Sequence, residues 1–360
     1  SYCDKITEKF SNNNFEIIEI HNRPAVYNYL SNKFNSKFIL YFHNDPQDMN
    51  GSKKVSERID LYNSVDKIIF VSKWVQKRFF EGLDDLNVAK TNVVYPSIEK
   101  PKINKKKQKK IIFVGKLNKS KGYDLYVQSV NKILNKYKDW QAYSIGDERR
   151  ERIHVDHERH HNLGYLTHKN VLKYISMCEI AVVPSKWEEP FGRTALESSS
   201  RGCLTIISNN GGLPETTDHG VILKNLNVKN LYDKIAFFIK NPKERKKIQI
   251  NAFNNVKHLV SDNSRLIDKL RESLVDLFKV NLRKNKFRIL NIYNIGQKIN
   301  HRIYNISIGK KFTNGFIRNN HDVIEISDRD FVKQNSNLGL KNLNKFQDYL
   351  VQTFKNYNPD

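Results

Sequence analysis

The sequence predicts an α/β protein made of two successive doubly wound domains, followed by part of a third unit. Three observations predict it. Short unbroken apolar runs of strand length alternate with helical stretches, as parallel strands covered on both faces require. The alternation restarts after a lysine-rich stretch. It starts a third time near Phe287. A length of 360 residues leaves room for two domains and a remainder, at about 150 residues per domain.

The elements follow in order. Residues 15–21 (FEIIEIH) and 37–43 (KFILYFH) read as strands, with Pro24 well suited to a helix start between them. Residues 52–64 form a polar helix. Residues 66–72 (DKIIFVS) are a third strand, and Ser72 caps the helix that carries Trp74 and Phe79. Residues 92–96 are a fourth strand. The run 100–110 (KPKINKKKQKK) has no apolar period and reads as a solvated linker. Strands return at 111–115, 142–146, 179–184, 204–208 and 220–223, with helices at about 123–137 and 192–201. From 228 to 279 the pattern is helical, broken at Asn241-Pro242 and Ser261-Asp262. Strand, helix and strand at 288–293, 308–319 and 321–326 make one βαβ unit, too small to close its own core. The predicted boundaries are a partial first domain (1–99), the linker (100–109), a second domain (110–260), a helix and connector (261–284), and the start of a further Rossmann-like domain (285–360).

Composition excludes several classes. No apolar run approaches the roughly 18–20 residues that cross a bilayer, and no secretory leader opens the chain. Cys3, Cys178 and Cys203 are too few and too far apart for a disulfide framework or a cysteine-built zinc site, which suits a reducing, cytoplasmic setting. Ser1 stands where an initiator Met would, so the chain is read as a fragment or a processed product. Lysine and arginine total 62 against 38 acids, a net charge of +24. Such a surplus attracts polyanions: an anionic leaflet, a phosphorylated ligand or nucleic acid. A plain bias toward Lys, Asn and Ile explains it equally well. No nucleic-acid-binding motif accompanies the charge, so no nucleic-acid partner is expected.

Five constellations carry chemistry. Residues 115–122 (GKLNKSKG) follow a strand and open a helix. Gly115 lets the backbone approach a ligand at the strand's carboxyl end, and Lys116 and Lys121 are placed to neutralise a diphosphate. An ordinary turn with surface lysines is the plain alternative. Residues 184–197 (PSKWEEPFGRTALE) end a strand, turn at Pro-Phe-Gly and enter a helix. The backbone N–H groups of Gly192, Arg193 and Thr194 then form an anion site at a helix N-terminus. Glu189 in the loop and Glu197 inside the helix reach different parts of one extended ligand, unless both are structural. Residues 209–215 (NNGGLPE) supply paired glycines after a strand. His43, at a strand's carboxyl end, points into the cleft or merely packs. His154, His157 and His161 fall on one helical face, with His160 beside them. Without acidic or cysteine ligands they read as a solvated face, and no metal site is expected.

Together the first four constellations resemble GT-B-fold, family 4 retaining glycosyltransferases (glycosyl transferases group 1), in order and spacing over residues 15–280. Val114-Gly115-Lys116 with Lys121-Gly122 resembles the family's diphosphate segment. Glu189 through Glu197, with Phe191-Gly192 between, resembles its E-x7-E motif. Residues 211–215 resemble its glycine turn. The resemblance implies two Rossmann-like domains facing a cleft, the second binding a nucleotide-diphosphate sugar. Lys116 and Lys121 would hold the diphosphate without a metal or other cofactor, and Arg193 and Thr194 lie in the same helix start. Glu197 would bind the ribose. Glu189 and the Phe191-Gly192 backbone would orient the donor sugar, and His43 would reach it from the opposite domain.

The implied partners are a nucleotide-sugar donor and a cell-envelope glycan or lipid-linked acceptor, with peripheral contact to the anionic inner face of the cytoplasmic membrane. Lys116 stands where the family commonly has Arg, and the Gly-rich first turn of the acceptor domain is missing. Residues 316–323 (FIRNNHDV) resemble the opening of another acceptor domain. A non-catalytic nucleotide-sugar-binding module is the alternative.

Overall fold

The first lobe opens with helix α1 (Tyr2–Phe10) and then alternates: β1 (Ile17–His21), α2 (Pro24–Leu30), β2 (Lys37–Phe42), α3 (Val55–Ser64), β3 (Lys67–Phe70), α4 (Lys73–Phe80) and β4 (Thr91–Val93). All pairings are parallel, in the order β1-β2-β3-β4. Alternation along β2 decides what covers each face. Phe38, Leu40 and Phe42 share one apolar cluster with Tyr27 and Leu30 of α2, Leu61 of α3, and Val75 and Phe79 of α4. Right-handed crossovers put all three helices on that side. Ile39 and Tyr41 face the other way.

The second lobe comprises β5 (Gln108–Val114), α5 (Tyr123–Lys136), β6 (Gln141–Ile145), β7 (His160–Asn162), α6 (His168–Met177), β8 (Cys178–Val183), α7 (Arg193–Ser200), β9 (Leu204–Ser208), β10 (Val221–Leu223), α8 (Val228–Lys240) and α9 (Pro242–Asn254). Its six parallel strands run β10-β9-β8-β5-β6-β7. Ile111 and Phe113 of β5 pack toward α5 and α8. Ile112 packs toward α6 with Cys178 and Cys203. Helix α10 (Val260–Glu272) then returns to the first lobe, where Leu270 and Ile267 cover Ile39, Tyr41 and Ile69. The second face of the first sheet is therefore closed from the far end of the unit, with Arg271 bonded to Glu19 at 2.7 and 2.9 Å.

The computed structural model describes residues 2–11, 15–83, 86–101, 107–275, 286–293, 308–327, 330–331 and 341–360. It divides into two compact units, Ser1–Val275 and Asp276–Asp360. The second unit holds β11 (Arg288–Ile292), α11 (Ile308–Arg318), β12 (Asp322–Ile326) and α12 (Lys341–Tyr357). Its two strands pair in parallel, as the βαβ pattern predicts. Phe312, Ile317 and Phe354 remain exposed on it.

Two expectations are corrected. Strand β5 begins at Gln108, inside the stretch read as linker, and Lys107 bonds the carbonyl oxygens of Ser176 and Cys178 at 3.2 and 2.9 Å. Residues 102–106 of that stretch lie outside the described residues. The histidine group does not share a helical face. Residues 151–157 form no helix, Ile153 and Val155 pack against the core of the second lobe, and His160 is buried in β7. Among the described residues no helix is long and apolar enough to cross a membrane.

Candidate functional site

The sheet order of the second lobe reverses direction between β5 and β8. In open α/β sheets, ligands bind outside the carboxyl ends of the strands at such a switch point. An open pocket lies there. Phe113 and Val114 of β5 and Gly115 just beyond it line one side, and Val183 of β8 and Ser185 just beyond it line the other. Lys121, Glu189, Gly192, Arg193 and Thr194 complete the wall.

Asn118 builds the turn that delivers Lys121. Its side-chain oxygen accepts from Lys121 N at 3.0 Å and from Ser120 Oγ at 2.9 Å, while its backbone oxygen accepts from Tyr123 N at 3.1 Å. The turn closes at Gly122, whose φ is +71°. A Cβ there would stand 1.9 Å from the Pro184 carbonyl oxygen, so only glycine allows the turn to touch the end of β8. The two segments are also stitched together. Ser120 O accepts from Lys186 N and Trp187 N, each at 2.9 Å, and Lys186 pairs with Asp124 at 2.7 Å.

This stitching brings Lys121 Nζ to 2.6 Å from Glu189 Oε1, with both side chains largely covered. The Glu189 backbone is fixed in turn, since its carbonyl oxygen accepts from Gly212 N at 2.6 Å. A Cβ at Gly211 would lie 2.2 Å from that oxygen. The paired glycines are thus a seat for the Glu189 loop. Gly192, at φ +100°, then starts α7 and turns its N-terminus toward the pocket.

The pocket therefore unites six of the residues expected to bind: Gly115, Lys121, Glu189, Gly192, Arg193 and Thr194. The other four lie elsewhere. Lys116 is exposed on the same turn. Glu197 is buried and accepts from His168 Nε2 at 2.9 Å and Arg193 Nη2 at 3.4 Å. The Phe191 side chain is buried among first-lobe residues, against Tyr95 and His258. His43 is exposed at the end of β2, its Nε2 2.8 Å from His21 Nδ1. Loss of hydration and then the charge of His21 hold the His43 imidazole below its usual range. Among the described residues no group of three or more His, Cys, Asp or Glu is arranged to hold a metal ion.

The lobes meet beside the site. The Glu215 carboxylate accepts from Lys73 N and Trp74 N at 2.8 Å each, capping α4, and from Tyr95 OH at 2.9 Å. Burial first, then the Glu215 charge, pushes the Tyr95 phenol well up. Ser72 Oγ donates to Pro190 O at 2.6 Å and accepts from Val75 N at 3.0 Å, the cap predicted from sequence. Sequence reasoning did not single out Asn118, Trp187, His168 or His21. Of these, only the asparagine in a G-x-x-N turn carried a local signal.

Two Rossmann-like lobes with a pocket at the switch point of the second define a GT-B fold. Residues 96–255 match the model of the family described as glycosyl transferases group 1. The Bacillus subtilis protein named "Putative glycosyltransferase YtcC" is 27% identical over 253 residues, 61% of this chain and 62% of that protein. Spore coat protein SA of Bacillus subtilis is 22% identical over 254 residues, 61% of this chain and 66% of that protein. The matches thus span less than two thirds of either relative. Among solved structures, Anabaena HepE in complex with UDP-glucose superposes with a TM-score of 0.61 at 14% identity, over 74% of this chain and 81% of that one. That likeness is one of fold.

Proposed function

We propose that the first unit is a retaining glycosyltransferase that takes a sugar from a nucleotide-diphosphate donor. One observation carries the reading: Lys121, Glu189 and the N-terminus of α7 converge on a single pocket at the switch point. A departing diphosphate needs positive charge as the anomeric C–O bond breaks. An ammonium group and helix N–H groups fixed beforehand supply it without reorganisation. In this reading Lys121 and the Gly192, Arg193 and Thr194 amides hold the diphosphate, and Lys116 adds charge from the same turn. No metal is called on for this task.

Glu189 accepts from a donor-sugar hydroxyl, the Phe191-Gly192 backbone shapes that subsite, and His43 meets the sugar from the first lobe. Glu197 binds the ribose hydroxyls. The acceptor oxygen bonds to the anomeric carbon on the face the diphosphate leaves, and its proton passes to a departing phosphate oxygen. The anomeric configuration is thereby kept. A cell-envelope glycan or lipid-linked sugar at the inner leaflet is the proposed acceptor, supported by the +24 charge. The UDP-glucose bound to HepE makes UDP-sugars the first donors to test.

The test is nucleoside diphosphate release from a panel of nucleotide sugars, UDP-sugars first, with and without glycan acceptors, by the chain and by E189A and K121A. Turnover by the parent chain that both substitutions reduce at least 100-fold is expected. Turnover unchanged in both variants refutes the assignment. Saturable binding of a nucleotide sugar without transfer or hydrolysis favours a non-catalytic binding module.

A further inference from the structure

Lys121 has a second partner. Its Nζ lies 4.2 Å from the centroid of the Trp187 ring, on the face of the indole. That distance is well inside the range in which a ring quadrupole attracts a cation, and Trp is the strongest such partner. Trp187 is 44% exposed and belongs to none of the buried apolar clusters among the described residues, so burial does not explain its place.

Its backbone explains why the ring stays there. Trp187 N donates to Ser120 O at 2.9 Å, and Trp187 O accepts from Ser185 Oγ at 3.0 Å. The Trp187 backbone is therefore anchored to the residue preceding the lysine that its ring covers. The Lys186–Asp124 pair at 2.7 Å clamps the same two segments on the other side.

We propose that Trp187 is a positioning residue that keeps the Lys121 ammonium aimed into the pocket during donor binding. The inference rests on the diphosphate role given to Lys121 above. Without donor, Lys121 is held between Glu189 and Trp187. When the ammonium turns from Glu189 to a phosphate oxygen, it loses its carboxylate. A lysine is a point charge on a four-carbon stem with much rotamer freedom. The fixed indole face then keeps it from turning out to solvent and leaves its N–H groups free for phosphate oxygens. An arginine at 121 would need no such support, because its planar fork is already organised for phosphate.

The experiment measures UDP affinity by calorimetry, and donor KM and kcat, for the wild type, W187F, W187L, K121M and K121M/W187L. W187L is expected to weaken UDP about 3- to 10-fold, the range of a partly exposed cation–π contact, and to raise KM more than it lowers kcat. W187F keeps a π face and should recover most of the loss. W187L added to K121M should change nothing further. Unchanged UDP affinity in W187L overturns the inference. So does an equal loss in the K121M background, which would mean that Trp187 acts independently of Lys121. If W187L does not fold, a W187F affinity equal to that of a W187H variant at low pH, where a cation replaces the π face, overturns it as well. Failure of the wild type to bind UDP, GDP or ADP would instead refute the proposed function, and with it the premise.

Discussion

Replacing Gly122 by alanine tests the contact that joins the two halves of the pocket. The residue sits at φ +71°, a conformation that costs an L-residue about 1–2 kcal/mol. Its new Cβ would lie 1.9 Å from Pro184 O, a backbone atom with no side-chain freedom to yield. Reaching ordinary contact, which begins at 3.4 Å, requires the turn and the end of β8 to separate by about 1.5 Å. Overpacking of this kind adds about 1–3 kcal/mol, for a total loss of roughly 2–5 kcal/mol.

Gly164 is the control. Its φ is +64° and nothing lies within 4 Å of its Cβ position, so G164A should show the backbone term alone, about 1–2 kcal/mol. Urea denaturation followed by circular dichroism gives both values. UDP binding adds the functional readout. Separating the turn from β8 carries Lys121 away from Glu189, so G122A should lose affinity even well below its unfolding midpoint. Equal stability losses in the two variants, or wild-type UDP affinity in a folded G122A, would refute the reasoning.

Two further outcomes follow from the geometry. E215A removes the carboxylate that caps α4 from the opposite lobe, leaving the N–H groups of Lys73 and Trp74 without it; a loss of about 1–2 kcal/mol is expected in the urea midpoint, and an unchanged midpoint contradicts the interlobe contact. Burial first, then the charges of His157 and His161, pushes the His160 imidazole down to about 4. The unfolded chain therefore takes up a proton below about pH 6.5 that the folded one refuses, so this stability is complete above about 6.5 and is lost as the pH falls toward 4, by at most about 3 kcal/mol. Melts of the wild type and H160Q across pH 7.5–4.5 should converge in the acid range; parallel curves contradict the burial.

Much of the fold is legible because unbroken apolar runs such as 37–43 and 111–115 have few structural alternatives. Helix α2 starts at Pro24 and Ser72 caps α4, both for local reasons. The segment 151–161 misleads because histidine spacing of three and four suggests a helix, while Ile153 and Val155, two apart, both pack against the core, which one helical face does not allow. Helix α6 escaped notice although Val171 and Ile175, four apart, form its buried edge. Of the site, Gly115, Lys121, Glu189 and residues 192–194 were readable because each pair of segments abuts a strand end. The Phe191 ring, buried in the first lobe's core, and the Glu215 cap on α4 were not. Both join residues about 100 or more positions apart, a distance at which no local pattern operates. Trp187 lay in plain view within 184–197, but its role depends on Ser120 in a different turn.

The most direct measurement is calorimetric titration of UDP into the chain and into K121M at moderate salt. The account predicts saturable binding by the chain and at least a tenfold weaker affinity for K121M. Equal affinities, or heat that never saturates in the unsubstituted chain with UDP, GDP and ADP alike, would contradict it.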